Sequence, residues 1–325
     1  MIVFTDKSGW YPDDINSRLD FDNFADNLAD KILFVGHGCF NNQQVVNFCL
    51  QNKDVEKIYI NLEHPCSLYD ENENLGIRQQ MLFDTVYTIC PYTAEWFNSI
   101  QNKTKFFSMP YPHNLKYDVY KDKDLDKKYD VAYNGLIHSE EIASYVEAIK
   151  GFDYFFSTIP QWNRIKSVNG LATHNNIDNL KKWEILSQSK SAIIQNNLYL
   201  LPKQIGYIKN NYRWQENNAF SHVEQGLLPQ LKSRTVESAI CQTLMLVKKD
   251  PWNVIEEWFE PGKDFLYFEN CSELKELVED VKNNFNQYEH IVESAYKKVK
   301  LRYNTKYIFE KIKNGENINE NTREF

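Results

Sequence analysis

Short apolar runs alternate with amphipathic stretches of helical spacing along most of the chain. The runs KILFVG (31–36) and KIYINL (57–62) are typical of buried strands, and NNQQVVNFCL (41–50) between them has the spacing of a helix. Strands that alternate with helices indicate βαβ units, in which helices cover both faces of a parallel sheet. The beginning of the chain therefore predicts an α/β fold class.

The alternation continues towards the carboxyl terminus. Further strands are predicted at 84–89, 103–109, 129–135, 153–159, 191–200 and 264–268. Further helices are predicted at 91–100, 139–150, 179–190 and 252–259, from about 233 and about 271, and over roughly 288–313. Ser139 is expected to cap one of these helices, and Asn270 with Glu273 forms a capping-box pattern before another. The predicted architecture is two Rossmann-like, doubly wound domains in tandem.

A charge-rich segment divides the pattern into two parts. The run KYDVYKDKDLDKK (116–128) cannot bury enough apolar surface to fold alone. We therefore predict a first domain at 1–120, a second at 128–302, and a flexible polar tail at 314–325. The irregular stretch 202–230 is interpreted as a lid, a base-binding loop or a disordered connector.

The overall composition excludes several classes of protein. A formal net charge of −8 argues against a general nucleic-acid binder, which presents net basic surface. No apolar stretch approaches the roughly 18 residues of a transmembrane helix, and the first residues lack the pattern of a secretory leader. The six cysteines have no CxxC spacing, so they are expected to pack as buried apolar groups. We expect a cytoplasmic protein.

Motifs for metal or cofactor chemistry are missing from the sequence. It contains no Walker A, G-x-S-x-G, HExxH or GxGxxG pattern and no close cluster of Asp, Glu and His. We therefore expect neither a metal site nor a resident cofactor.

The first turn of the helix in LKSRTVESAI (231–240) carries a concentration of charge. A helix amino terminus suits a phosphate, and Lys232 and Arg234 would add formal charge and directional hydrogen bonds. Glu237 would accept hydrogen bonds from a pair of ribose hydroxyls. The alternative is that Glu237 only complements the helix dipole and pairs with Arg234.

Two other loops that follow predicted strands hold candidate residues. Gly135 permits close approach of a ligand to the backbone, and His138 is placed to reach a phosphate or a sugar hydroxyl, or is simply solvated. In the amino-terminal half, His37 lies between two glycines, and Glu63 and His64 end the strand at 57–62. Each of these three is a candidate general base.

The run PQLKSRTVESAICQTLMLVKKDPWNVIEEWFEPGKDFLYF (229–268) carries a family resemblance. It resembles the K-x-R-x-x-E pattern and the later F-x-P-G-K-x-x-x-Y-F pattern of GT-B glycosyltransferases of the group-1/family-4 type, including the CgeB-like branch. Ile240-Cys241-Gln242 departs from the small, glycine-containing step that usually follows the glutamate. Glu224 does not have the family-4 spacing to Glu237, so the stereochemical outcome stays open.

The resemblance implies two Rossmann-like domains that face a cleft, with a nucleotide-sugar donor held mainly by the second. It implies that Glu237 binds the ribose and that Lys232 and Arg234 lie in the donor-phosphate region. Gly135 and His138 then fall in the first loop of the donor domain. The last helix, at about 303–313, is expected to pack back on the first domain, as it often does in such proteins.

The leading hypothesis from the sequence is a metal-independent glycosyltransferase, hexosyl or pentosyl, that moves a sugar from a nucleotide diphosphate sugar to a glycan hydroxyl. Two alternatives stay open: a nucleotide-sugar epimerase of the same fold, and a non-catalytic carbohydrate or assembly protein. Nucleic acid is not an expected partner. Replacing Glu237 by alanine is expected to weaken donor binding and to leave the protein folded.

Overall fold

The computed structural model describes residues 2–5, 18–20, 31–35, 43–62, 80–114, 126–211, 218–316 and 318. Two compact units are formed. Unit 1 comprises Met1–Pro112, Leu200–Leu231 and Thr305–Phe325, and unit 2 comprises His113–Tyr199 and Lys232–Asn304.

Unit 1 is built on a sheet of six parallel strands in the order β2-β1-β3-β4-β5-β6. These strands are β1 (Ile2–Thr5), β2 (Arg18–Asp20), β3 (Lys31–Val35), β4 (Glu56–Asn61), β5 (Thr85–Thr88) and β6 (Lys105–Ser108). Its described helices are α1 (Gln43–Gln51), α2 (Pro91–Ile100), α5 (Pro202–Asn211) and α9 (Thr305–Asn314).

Unit 2 has a second sheet of six parallel strands, in the order β14-β13-β10-β7-β8-β9. These strands are β7 (Tyr129–Asn134), β8 (Tyr154–Thr158), β9 (His174–Asn175), β10 (Ser189–Ile194), β13 (Leu244–Lys248) and β14 (Leu266–Phe268). The helices are α3 (Glu140–Ile149), α4 (Asn179–Ser187), α6 (Ser233–Ile240), α7 (Cys271–Asn284) and α8 (Glu289–Arg302). Two further short strands are described, β11 (Asn197–Tyr199) in unit 2 and β12 (Leu227–Pro229) in unit 1.

Both faces of the second sheet are buried. Val131 and Ala132 are consecutive on β7 and both are 0% exposed, and Leu246 and Val247 on β13 are also 0% exposed. Successive side chains of a strand point to opposite faces, so such runs require cover on each side. The α/β class with parallel sheets, predicted from the alternating pattern, is confirmed.

The segment from Leu200 to Leu231 belongs to unit 1. Phe220 packs edge-on against Trp96 of α2, with ring centroids 4.7 Å apart and both side chains buried. Aromatic pairs in this geometry add to the stabilisation that burial gives. The predicted second domain, 128–302, had included this segment.

Helix α9 also lies in unit 1. Lys31 Nζ donates to the Lys313 carbonyl at 3.3 Å, and the Tyr87 hydroxyl donates to the Glu316 carbonyl at 3.5 Å. The helical region predicted over 288–313 is two helices, because the chain turns at Tyr303 and Asn304 between α8 and α9.

Three predicted local features agree with the structure. Ser139 Oγ caps α3 by accepting from the Ile142 amide, and Asn270 caps α7 by accepting from two backbone amides. Cys49, Cys90 and Cys241 are buried, as predicted, whereas Cys271 is half-buried. Burial raises the pKa of the Cys49 and Cys241 thiols to about 12, so neither is a thiolate at neutral pH.

His113 is a buried histidine whose protonation opposes folding. Burial lowers its pKa from 6.5 to about 4, and in the part of the chain that the structure describes its Nε2 has no hydrogen-bond partner. The unfolded chain takes up a proton below pH 6.5 and the folded chain does not, so stability from this group is present above pH 6.5 and is lost as the pH falls towards 4.

We predict that His113→Gln removes this part of the pH dependence. Between pH 7 and pH 4.5 the free energy of unfolding of the wild type should fall by about 2 to 3 kcal/mol more than that of the variant. Urea unfolding at both pH values measures the difference. The exposed His290 supplies the control His290→Gln; equal pH dependence in wild type and His113→Gln would contradict the account.

Candidate functional site

The strand order of unit 2 places a crevice between β7 and β10. β7 pairs with β8 on one side and with β10 on the other, so the chain changes direction across the sheet at this point. In open parallel sheets, ligands bind outside the carboxyl ends of the strands where such a reversal occurs. The loop after β7 and the residues after β10 therefore form the candidate site.

Gly135, directly after β7, leaves room for the Arg234 side chain to pack against the backbone. A Cβ atom on residue 135 would collide with the end of the Arg234 side chain, and the φ of +155° at this position also favours glycine. The Arg234 guanidinium carbon lies 5.2 Å from the centre of the Tyr133 ring, a cation–π contact. Arg234 Nη1 is buried and has no hydrogen-bond partner among the described residues. The structure therefore holds a guanidinium in place and leaves one of its nitrogens for a further acceptor.

The backbone around Gly135 is fixed by the neighbouring loop. The Ile137 amide donates to Asn163 Oδ1 at 2.8 Å, and the Ile137 carbonyl accepts from the Arg164 amide at 2.8 Å. Asn163 is buried and also accepts from the Thr158 hydroxyl at 2.8 Å. These bonds join the loops after β7 and β8, so the positions of Gly135 and His138 do not depend on one flexible turn.

Positive charge surrounds His138. Burial first, and then the cations of Arg164, Lys232 and Arg234, lower the pKa of this imidazole from 6.5 to about 4. Among the described residues, the charged groups that shift this pKa are all cations. At neutral pH the ring is uncharged, so it offers a hydrogen bond among fixed positive charges. An anion is the ligand that this arrangement favours.

The amino terminus of α6 is held by a residue that the sequence did not single out. Asn196 follows β10 and is 0% exposed; its Oδ1 accepts from the Lys232 amide at 3.0 Å and from the Thr235 hydroxyl at 3.2 Å. Lys232 occupies the N-cap position but makes no side-chain cap. Asn196 therefore fixes the first turn of α6 at the carboxyl end of β10, and with it Arg234.

Glu237 is buried and pairs with Lys182 of α4. The distance between Lys182 Nζ and Glu237 Oε1 is 2.8 Å, and the two side chains are 11% and 6% exposed. The alternative in which Glu237 pairs with Arg234 is not what the structure has. The pair joins residues 55 positions apart, so no local pattern in the sequence indicates it.

The structure brings together five of the predicted site residues: Gly135, His138, Lys232, Arg234 and Glu237 all lie in unit 2 around the first turn of α6 and the loop after β7. To these it adds Lys182, Asn196 and Arg164. Arg164 is six residues after the end of β8, and the rule on strand ends is the signal that could have found it.

The predicted general bases His37, Glu63 and His64 lie outside the described residues. Within the described ranges, no group of three His, Cys, Asp or Glu side chains is arranged to hold a metal ion. Among the helices of those ranges, none has the length and apolar character needed to cross a membrane.

We predict that Gly135→Ala displaces Arg234 without unfolding the protein. The colliding atoms are at the far end of a flexible side chain, so the arginine moves and the sheet stays. Affinity for a nucleoside diphosphate should fall at least about tenfold. The φ of +155° at residue 135, which alanine rarely adopts, should cost about 1 to 3 kcal/mol in the free energy of unfolding. Calorimetric titration and thermal unfolding measure the two effects. Gly262→Ala is the matched control, since Gly262 also has a positive φ, of +76°, and a Cβ there meets open space; equal affinity in the two variants would contradict the placement of Arg234 against Gly135.

Comparison with known proteins defines the class. Residues 155–314 match the family model described as glycosyl transferase-like. A comparison with curated protein sequences finds no match.

Solved structures share the fold at low sequence identity. HepE of Anabaena, in complex with UDP and glucose, has a TM-score of 0.56 at 11% identity, covering 88% of this chain and 77% of that one. Sucrose-phosphate synthase of Thermosynechococcus elongatus has a TM-score of 0.55 at 10% identity, covering 88% and 72%. TarM of S. aureus, in complex with Fondaparinux, alpha-GlcNAc-glycerol and UDP, has a TM-score of 0.55 at 11% identity, covering 88% and 56%.

The fold is that of the GT-B glycosyltransferases, and the segment 155–314 is glycosyl transferase-like. The predicted resemblance to this class is confirmed, although the comparisons do not test the CgeB-like branch. The chain spans just over half of the length of TarM, at 55% or 56% of that chain.

Proposed function

We propose that this protein transfers a sugar from a nucleotide diphosphate sugar to the hydroxyl of a glycan, without a metal ion. The observation that carries the proposal is the group of cations around His138, with Arg234 seated on Gly135 and one of its nitrogens unpartnered. Neighbours of the same fold were solved with UDP, with UDP-glucose, and with UDP and glucose.

The chemical demand of glycosyl transfer is a departing diphosphate that gains negative charge. Fixed cations and backbone amides directed at that charge stabilise it in the transition state. Arg234 would make charge-assisted hydrogen bonds to the diphosphate, and Lys232 would add a second cation at the α6 amino terminus. His138 would donate a hydrogen bond to the diphosphate or to the sugar. Glu237 would accept hydrogen bonds from the ribose.

The acceptor hydroxyl needs a base if the reaction inverts the anomeric centre. We keep His37, Glu63 and His64 as the candidates. The donor sugar, hexose or pentose, depends on contacts that the described residues do not define. We also propose that the protein acts in the cytoplasm, which the reduced thiols of Cys49 and Cys241 support.

The test is incubation with UDP-glucose, UDP-N-acetylglucosamine and GDP-mannose, first without an acceptor and then with a panel of glycans. A transferase releases nucleoside diphosphate slowly alone and faster with its acceptor. An isomerised donor would favour the epimerase alternative instead. If no donor is bound, isomerised or cleaved to nucleoside diphosphate, the result would favour the non-catalytic carbohydrate or assembly protein.

A further inference from the structure

The ion pair between Lys182 and Glu237 uses only one of the two carboxylate oxygens of the glutamate. Oε1 accepts from Lys182 Nζ at 2.8 Å. Oε2 has no hydrogen-bond partner among the described residues, and it is not completely buried. The carboxylate therefore has one oxygen fixed by the protein and one open to a ligand.

Helices α4 and α6, which carry Lys182 and Glu237, are also joined by hydrogen bonds at their carboxyl ends. The Thr243 hydroxyl, just after α6, donates to the Leu186 carbonyl of α4 at 2.6 Å. Lys127 Nζ donates to the carbonyls of Ser187 and Gln242, at 2.9 Å and 2.7 Å, and so joins the same two helix ends. Lys182 is thus held on a rigid support, which is the condition for one side chain to orient another.

The charge of Lys182 also affects the neighbouring site. An unpaired carboxylate on α6 would repel a diphosphate bound by Arg234, three residues earlier in the chain. A lysine at 2.8 Å offsets that charge and still leaves lone pairs on Oε2. Lys182 therefore allows Glu237, which would accept from ribose hydroxyls, and Arg234, which would bind phosphate, to lie within one helical turn.

We propose that Lys182 is a positioning residue that orients and neutralises Glu237, so that Oε2 accepts from the ribose hydroxyls of the donor nucleotide. The inference rests on the proposed function, and it adds the residue that makes the site selective for ribonucleotides. Lys182 itself does not touch the nucleotide.

The test compares UDP, GDP and CDP with their 2′-deoxy counterparts by calorimetric titration. The wild type should prefer the ribonucleotide by about ten- to a hundredfold, the worth of one hydrogen bond to a charged acceptor. Lys182→Met should lower that preference to less than about threefold, and Lys182→Arg should restore part of it. If Lys182→Met does not fold, Lys182→Gln replaces it, because its amide still donates but carries no charge. Lys181→Met is the control, since Lys181 lies exposed on the same helix and pairs with Glu184.

The ratio of the affinities for the ribonucleotide and the 2′-deoxynucleotide distinguishes a positioning role of Lys182 from a purely structural one. A ratio that stays at the wild-type value in Lys182→Met or Lys182→Gln, even with a lower melting temperature, would overturn the inference. So would a wild type that binds ribo- and deoxynucleotides equally, although the proposed function would then stand. A wild type that binds no nucleoside diphosphate would contradict the proposed function itself, and this inference with it.

Discussion

Arg234→Leu is expected to bind nucleoside diphosphates about a hundredfold more weakly than the wild type. A guanidinium that makes two charge-assisted hydrogen bonds to a diphosphate contributes roughly 3 kcal/mol, and each 1.4 kcal/mol is about tenfold in affinity. Its Nη1 is buried and bonds to none of the described residues, so the unliganded protein should lose little when the group is removed. Calorimetric titration gives the affinity, and thermal unfolding shows that the fold is kept.

The matched control for Arg234→Leu is Lys181→Leu. It removes one positive charge from an exposed position of unit 2, where Lys181 pairs with Glu184 at 3.0 Å. Exposed ion pairs contribute little to stability, and screening by salt weakens their effect at a distance. The control should therefore bind as the wild type does. A loss of less than about threefold in folded Arg234→Leu would contradict a phosphate-binding role.

Glu237→Ala is expected to cost about 3–5 kcal/mol in the free energy of unfolding, because it leaves Lys182 buried and unpaired. The sequence led to the expectation that this variant would stay folded and bind the donor more weakly. Because the side chains of the pair are 11% and 6% exposed, we add to that expectation a loss of stability. Lys182→Met should cost a similar amount for the same reason, and urea unfolding measures both.

A double variant distinguishes the buried charge from the loss of packing. Lys182→Met combined with Glu237→Leu removes both charges and keeps the volume apolar, so it should recover most of the stability lost in either single variant. Costs below about 1 kcal/mol in both single variants would show that the pair is solvated and weak. Glu237→Gln is the better variant for binding studies, since it keeps the shape and removes only the charge.

The elements that the sequence predicted well are those with long, unambiguous periodicity. The strand at 129–135 and the helix at 139–150 are β7 and α3 within one residue at each end, because Val131 and Ala132 form an apolar run and Ser139 caps the helix. Local pattern and tertiary environment agree there, which is the condition for a correct prediction.

The elements that were missed are short or lie in mixed composition. β1 and β2 have four and three residues, too few for a periodicity to be recognised. Helix α5 lies inside the stretch interpreted as a lid, loop or connector, with Gly206 in its interior. Glycine in a helix interior lowers propensity by about 1 kcal/mol, and tertiary packing has overridden it here.

The residues of the candidate site that lie at strand ends or in the first turn of α6 could be predicted from the sequence. Gly135, His138, Lys232 and Arg234 follow from the rule that ligands lie outside the carboxyl ends of parallel strands. Lys182 and Asn196 do not, because each acts through a contact with a residue more than thirty positions away in sequence. Which of several lysines on a helix faces a distant glutamate is decided by packing, and one unaligned sequence carries no record of it.

We propose that unit 2 binds a nucleoside diphosphate at the α6 amino terminus. The decisive experiment is calorimetric titration of the purified protein with UDP, GDP, CDP and dTDP, each compared with its phosphate-free nucleoside. At least one diphosphate should bind, its nucleoside should bind much more weakly, and Arg234→Leu should lose the difference. Absence of binding by all four diphosphates to the folded wild type would contradict it.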